Sequence, residues 1–158
     1  MRQLSFRLNT WIEVKDGNNT AREIYDGHYS RHFYADGRNP KLFVGPGEKV
    51  VLITPEADAL FIWRKFVSAN GQQGVNCSTF RNESERLSSE LILEAERFAW
   101  YYWPGERLYT YVNPREIRST NPGYCFLMAG WRKCGITKWN KLLILEKYAV
   151  CEPIARGG

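Results

Sequence analysis

From Leu87 onward, apolar or aromatic residues return at Leu91, Ala95, Phe98 and Tyr102, in steps of four, four, three and four. That spacing lines one face of an α-helix, with Glu90, Glu94 and Arg97 on a neighbouring polar face. The pattern predicts a helix from about Ser84 to Trp103, ended by Pro104-Gly105. Upstream, the apolar residues crowd into short β-branched and aromatic runs: Lys49–Thr54, Ala59–Val67 and Val75–Phe80. "PEAD" and "SANGQQG" between them are hairpin-length turns, so three antiparallel strands are expected.

The rest of the chain brackets this centre. Ser5–Val14 reads as a first strand, and Asn18–Ser30 as a helix with Asn19 or Thr20 as N-cap. Arg107–Asn113 is another strand. Asn121–Trp131 predicts a short helix, with Pro122 in its first turn and Gly130 as its stop. "KCGITK" and Lys141–Tyr148 close the chain as a hairpin. A strand, a long helix and a strand in succession make a crossover, the usual source of a parallel pair. The expected fold is therefore α/β in the α+β sense. It has a mixed, mainly antiparallel sheet with one parallel step, in a single domain over residues 1–158.

Composition changes this picture little. With 44% hydrophobic and 25% charged residues the chain is ordinary for a globular protein. Aromatics at 15%, six of them Trp, fill a core or line a binding surface. The net charge of +5 permits an anionic partner, although the cations are scattered, with clusters at Arg31–Arg38, Arg64–Lys65 and Arg132–Lys138. No signal-peptide pattern and no membrane-length apolar run is present, so a cytoplasmic protein is expected. Its four Cys, none in a CxxC pair, are expected to be reduced and buried. His28 and His32 stand four apart, but without the Glu of a zinc-protease motif or an evident third ligand no metal is expected.

The most polar stretch is the strand-to-helix junction "RNESERLSSE", Arg81 to Glu90. A helix start offers free N–H groups and the positive end of a dipole, which suits phosphate. Asn82 and Glu85 also have the spacing of a capping box, so the junction is read either as an anion site or as a plain cap.

The order of elements over residues 49–148 resembles that of the GNAT N-acetyltransferase fold, in which a splayed strand pair admits the acyl donor. Where that family carries a Gly-containing pyrophosphate loop, this chain has no Gly. A narrower resemblance is to the bacteriophage Mom group of DNA adenine-modification proteins. It rests on Asn82-Glu83-Ser84, then Thr110-Tyr111-Val112-Asn113-Pro114, then Gly123 to Trp131, then Gly135-Ile136-Thr137, in that order. Asn113 stands where Asp is common in that group.

The resemblance implies a DNA base-modifying transferase that adds an acyl-derived group to the exocyclic amine of adenine. It would draw on acetyl-CoA or a related acyl donor, in the host cytoplasm if the chain is phage-encoded. Arg81, Ser84, Ser88 and Ser89 would then lie at the cofactor phosphates, with backbone N–H groups around Cys77–Thr79 as oxyanion donors. Glu83 becomes a general base if partial burial raises its proton affinity, and is otherwise a helix-dipole partner. Tyr124 would protonate a leaving thiolate or fill the core. Asn113 would contact cofactor or substrate by its amide, or end a strand. Tyr29, Ser30 and Arg31 would touch substrate or form a solvated helix end. Two other functions fit the residues: an N-acetyltransferase acting on a small amine or protein, and a non-catalytic nucleic-acid-binding module.

Overall fold

A computed structural model describes residues 10–27, 42, 44–68, 71–115 and 123–150. Among these residues seven strands form one open sheet: β1 (Ile12–Val14), β2 (Glu48–Ile53), β3 (Ala59–Lys65), β4 (Val75–Asn82), β5 (Leu108–Val112), β6 (Arg132–Ile136) and β7 (Leu143–Lys147). The described residues also form three helices: α1 (Asn19–Asp26), α2 (Ser88–Tyr102) and α3 (Tyr124–Met128). The strand order is β1-β2-β3-β4-β5-β7-β6, antiparallel throughout except for the parallel β4–β5 pair. This is the mixed sheet with a central crossover expected from the sequence.

The sheet separates two apolar clusters. Ala21, Ile24 and Tyr25 of α1 pack with Val51, Ile53, Leu60 and Ile62 on one face. On the other, α2 and α3 pack with Val50, Leu52, Phe61, Trp63, Val75 and Cys77. The helix period is visible here, since Leu91, Ile92, Ala95, Phe98 and Ala99 of α2 are all buried. Trp11 and Trp63 donate their indole N–H groups to the carbonyls of Leu91 and Ala95, at 2.9 and 2.8 Å. Trp131 donates to Glu96 at 2.8 Å, Trp103 to Glu48 at 2.7 Å, and Trp100 to the Glu106 carbonyl at 2.8 Å. Five of the six Trp are thus internal braces, and only Trp139 stands in solvent.

Element ends differ from the sequence reading. The N-cap of α1 is Asn18, whose side chain accepts from the Ala21 N–H, in place of Asn19 or Thr20. Helix α2 starts at Ser88, four residues later than expected, because Asn82 and Ser84 bond their own loop instead of capping the helix. Of the four cysteines, Cys77 is buried as expected, Cys125 is only half-buried, Cys134 is exposed on the edge strand β6, and Cys151 lies outside the described residues.

Two buried carboxylates hold the β5-β7-β6 side together. Glu96 on α2 accepts from Trp131 Nε1 and Lys147 Nζ, both at 2.8 Å. Glu146 on β7 accepts from Arg107 Nε at 2.7 Å and Arg132 Nε at 2.8 Å. Burial of Glu146 works against its charge, but the bonds from Arg107 and Arg132 outweigh it and hold its carboxyl below the usual value of 4.5. A carboxyl depressed in the folded state stabilises the fold above the unfolded value and loses that contribution as pH falls through the folded one. Glu146→Gln is therefore expected to cost about 2–3 kcal/mol at neutral pH. The gap between the variant's and the wild type's melting temperatures should narrow below about pH 4.5. Calorimetry across pH 3–7 (about the range that brackets the group) checks both.

Candidate functional site

Strands β4 and β5 pair at only three positions, Val75↔Leu108, Asn76↔Tyr109 and Cys77↔Thr110. Beyond the last rung β4 stays with β3 as far as Asn82, while β5 stays with β7 as far as Val112. The two strands part there, and the main-chain groups they turn toward each other have no ladder partner. Thr110 Oγ1 fastens the apex by donating to the Cys77 carbonyl at 2.9 Å. The next residue on β4, Ser78, is the extra one in a bulge, since Cys77 faces Trp63 and Thr79 faces Ile62. Bulges bend a strand and end its pairing, which accounts for a split at this point.

The bulge also reverses which side chains face which helix. Val75 and Cys77 belong to the α2 side. After the extra residue, Phe80 faces Phe61 and Asn82 faces Ala59, both on the α2 side, whereas Thr79 and Arg81 face Ile62 and Leu60 on the α1 side. Asn82 consequently reaches the head of α2. Its Nδ2 donates to Ser88 Oγ and to the Arg86 carbonyl, each at 2.9 Å. Its Oδ1 accepts from Ser84 N–H at 2.9 Å and Ser84 Oγ at 2.5 Å, and Ser84 Oγ accepts from Arg86 N–H at 3.1 Å. Ser84, Ser88 and neighbouring Ser89 are therefore gathered at the start of α2. That start is capped by Leu87 without any side-chain hydrogen bond.

Arg81 and Glu83 do not join this group. Arg81 bonds the Gly27 carbonyl at the end of α1 and pairs with Glu83. Glu83 has a side chain 46% exposed and ion-paired with Arg81, an arrangement that does not favour a general-base role. Nor does Glu83 act as a dipole partner of α2, because its carboxylate is held by Arg81. Asn113 proves to be a turn residue: its Oδ1 accepts from the Arg115 N–H at 3.0 Å, just past the end of β5. Tyr29, Ser30, Arg31, His28 and His32 lie outside the described residues.

Tyr124 opens α3 and is 55% exposed, so it is not a core aromatic. Gly123 before it has φ +82°, and a Cβ there would meet Leu145 at 2.7 Å and Val112 at 3.5 Å. This close approach sets the head of α3 directly on the splayed end of β5. Phe126 turns inward against Phe80 and Trp131, leaving Tyr124 as the only hydroxyl-bearing residue of α3.

Of two buried groups at the apex, Cys77 was expected from the sequence and Asn76 was not. Burial pushes the Cys77 thiol up, far from a reactive thiolate. Asn76, one rung before the split and buried on the opposite face, has an Nδ2 without a hydrogen-bond partner. Its only signal was an amide between two apolar positions, Val75 and Cys77. Among the described residues no helix is long and apolar enough to cross a membrane. No protein-family model matches the chain, and no curated protein matches it.

Proposed function

We propose that the chain is a Mom-like DNA base-modifying transferase of GNAT type, which adds an acyl-derived group to the exocyclic amine of adenine. The observation that carries this reading is the parting of β4 and β5 after Cys77 and Thr110, between the heads of α2 and α3. A gap of this kind suits a donor thioester laid between the strands, with free main-chain N–H groups of β4 beyond Cys77 meeting the developing oxyanion. Ser84, Ser88, Ser89 and the uncapped N–H groups of α2 suit the phosphates of acetyl-CoA or a related donor.

In this reading the adenine amine attacks the thioester carbonyl, the carbon–sulfur bond breaks, and the departing thiolate takes the phenolic proton of Tyr124. The surplus proton of the amine passes to water at the mouth. Glu83 is given no base role, because its carboxylate sits on the other face of the sheet with Arg81. The aryl amine is a weak nucleophile, so orientation within the gap supplies much of the rate. A duplex base reaches such a gap only by extrusion from the stack.

Nucleoside mass spectrometry of DNA from cells producing the chain tests the proposal. A mass-shifted deoxyadenosine is the expected result. Unmodified DNA, together with acetyl groups appearing on small amines or proteins, would replace this reading with that of an N-acetyltransferase.

A further inference from the structure

Trp139 differs from the other five Trp in every respect that can be compared. It is 91% exposed, and its indole makes no hydrogen bond among the described residues. It sits at the tip of the β6–β7 hairpin, in the sequence Thr137-Lys138-Trp139-Asn140-Lys141. The tip is built to hold its shape. Thr137 N–H donates to the Leu142 carbonyl and Leu142 N–H donates to Thr137 Oγ1, both at 2.9 Å. Lys141 takes φ +54° to close the turn, and Arg115 Nη2 bonds the Asn140 carbonyl at 2.8 Å. An indole kept in water on a fixed support gains nothing for the fold, since burial is where its stabilisation comes from.

The tip itself carries one sign of charge. Residues 137–142 contain Lys138 and Lys141 and no carboxylate. Lys138 and Lys141 are exposed and have no acidic partner among the described residues. The tip also has a defined place relative to the gap. Because β7 runs antiparallel to β5 with Val112 opposite Leu143, the β6–β7 turn lies beyond the end of β5 that splays from β4.

We infer that this hairpin is a duplex-DNA contact at the mouth of the gap, with Trp139 stacking on a base beside the extruded adenine and Lys138 and Lys141 on flanking phosphates. Aromatic stacking tolerates any base, and each lysine–phosphate contact displaces a counterion. The inference rests on the DNA-partner half of the proposed function and names the surface that serves it.

Fluorescence anisotropy with a labelled duplex, on the full chain, tests it. Trp139→Ala is expected to weaken binding about tenfold, by a factor that changes little with salt. Lys138→Ala with Lys141→Ala should flatten the slope of log K against log salt by about 2. A duplex carrying 2-aminopurine should brighten with the wild type and not with Trp139→Ala. All these substitutions lie at an exposed tip and should leave the melting temperature within about 2 °C. The inference falls if the variants bind duplex like the wild type. It also falls if the wild type binds anionic vesicles and not DNA, or if Trp139→Ala alters only self-association. A deoxyadenosine adduct that is indifferent to Trp139 would remove the hairpin and keep the transferase. Tip-dependent binding with no adduct in cells would do the reverse.

Discussion

Replacing Glu96 with alanine is expected to destabilise the protein by about 3–5 kcal/mol, the largest stability loss of any single polar change in the fold. The carboxylate is 3% exposed and joins α2 to Trp131 after α3 and to Lys147 on β7. Removing it strands the Lys147 ammonium, which is left with the Ala129 carbonyl at 2.8 Å, and orphans the Trp131 N–H. Burial pushes the Glu96 carboxyl up, against the pull of Lys147 and Trp131, so the site pays desolvation for both charges and is worth much less than the loss on breaking it. Two consequences separate this account from simple loss of packing. Glu96→Gln, which keeps the side chain's shape and one of its two acceptor oxygens, should lose less than Glu96→Ala. Adding Lys147→Met to Glu96→Ala should recover about 1–2 kcal/mol, because the buried cation disappears with its partner. Urea denaturation of the four proteins decides between them. Equal losses for Gln and Ala, or no recovery in the double variant, would contradict the account.

The second large effect falls on chemistry. Tyr124→Phe removes one exposed hydroxyl from the first residue of α3 and is expected to leave stability within about 0.5 kcal/mol. Under the proposed function it removes the proton offered to the leaving thiolate, and adduct formation should fall about 100-fold or more. Single-turnover measurement of adduct against time, with melting curves on the same samples, is the check. The loss should shrink with a donor whose leaving group needs no proton. An adduct rate unchanged within a factor of about three would take Tyr124 out of the mechanism.

Much of the fold was legible because apolar periodicity and turn chemistry agreed along the chain. The α2 face, three antiparallel strands and the crossover all follow from spacings that solvent exclusion enforces, whatever the packing partner. Helix ends were less legible. Asn82 and Glu85 have capping-box spacing, yet the chain spends Asn82 on its own loop and delays α2 to Ser88. Local side-chain bonds compete with helix starts in just this way, and sequence spacing does not say which wins.

The candidate site was legible in position and poorly legible in facing. Strict alternation from Val75 would have put Arg81 on the α2 side with Cys77. One extra residue at Ser78 sends Arg81 to Gly27 and Glu83 on the α1 side, and brings Asn82 to Ser88 instead. A bulge leaves little trace in a short polar stretch, and a one-residue slip moves every later side chain to the opposite face. Trp139 illustrates the reverse case. Its flanking lysines were plain in the sequence, but six Trp read together left core and binding surface both open. Only the five internal hydrogen bonds of the others single it out.

The most direct measurement follows a heavy acyl label from donor to acceptor. Purified chain is incubated with duplex DNA and acetyl-CoA labelled in the acyl carbon, and the digested nucleosides are weighed. Label on the exocyclic nitrogen of deoxyadenosine is the predicted result. Label recovered on amines other than the nucleobase, with every deoxynucleoside at its natural mass, would contradict the account.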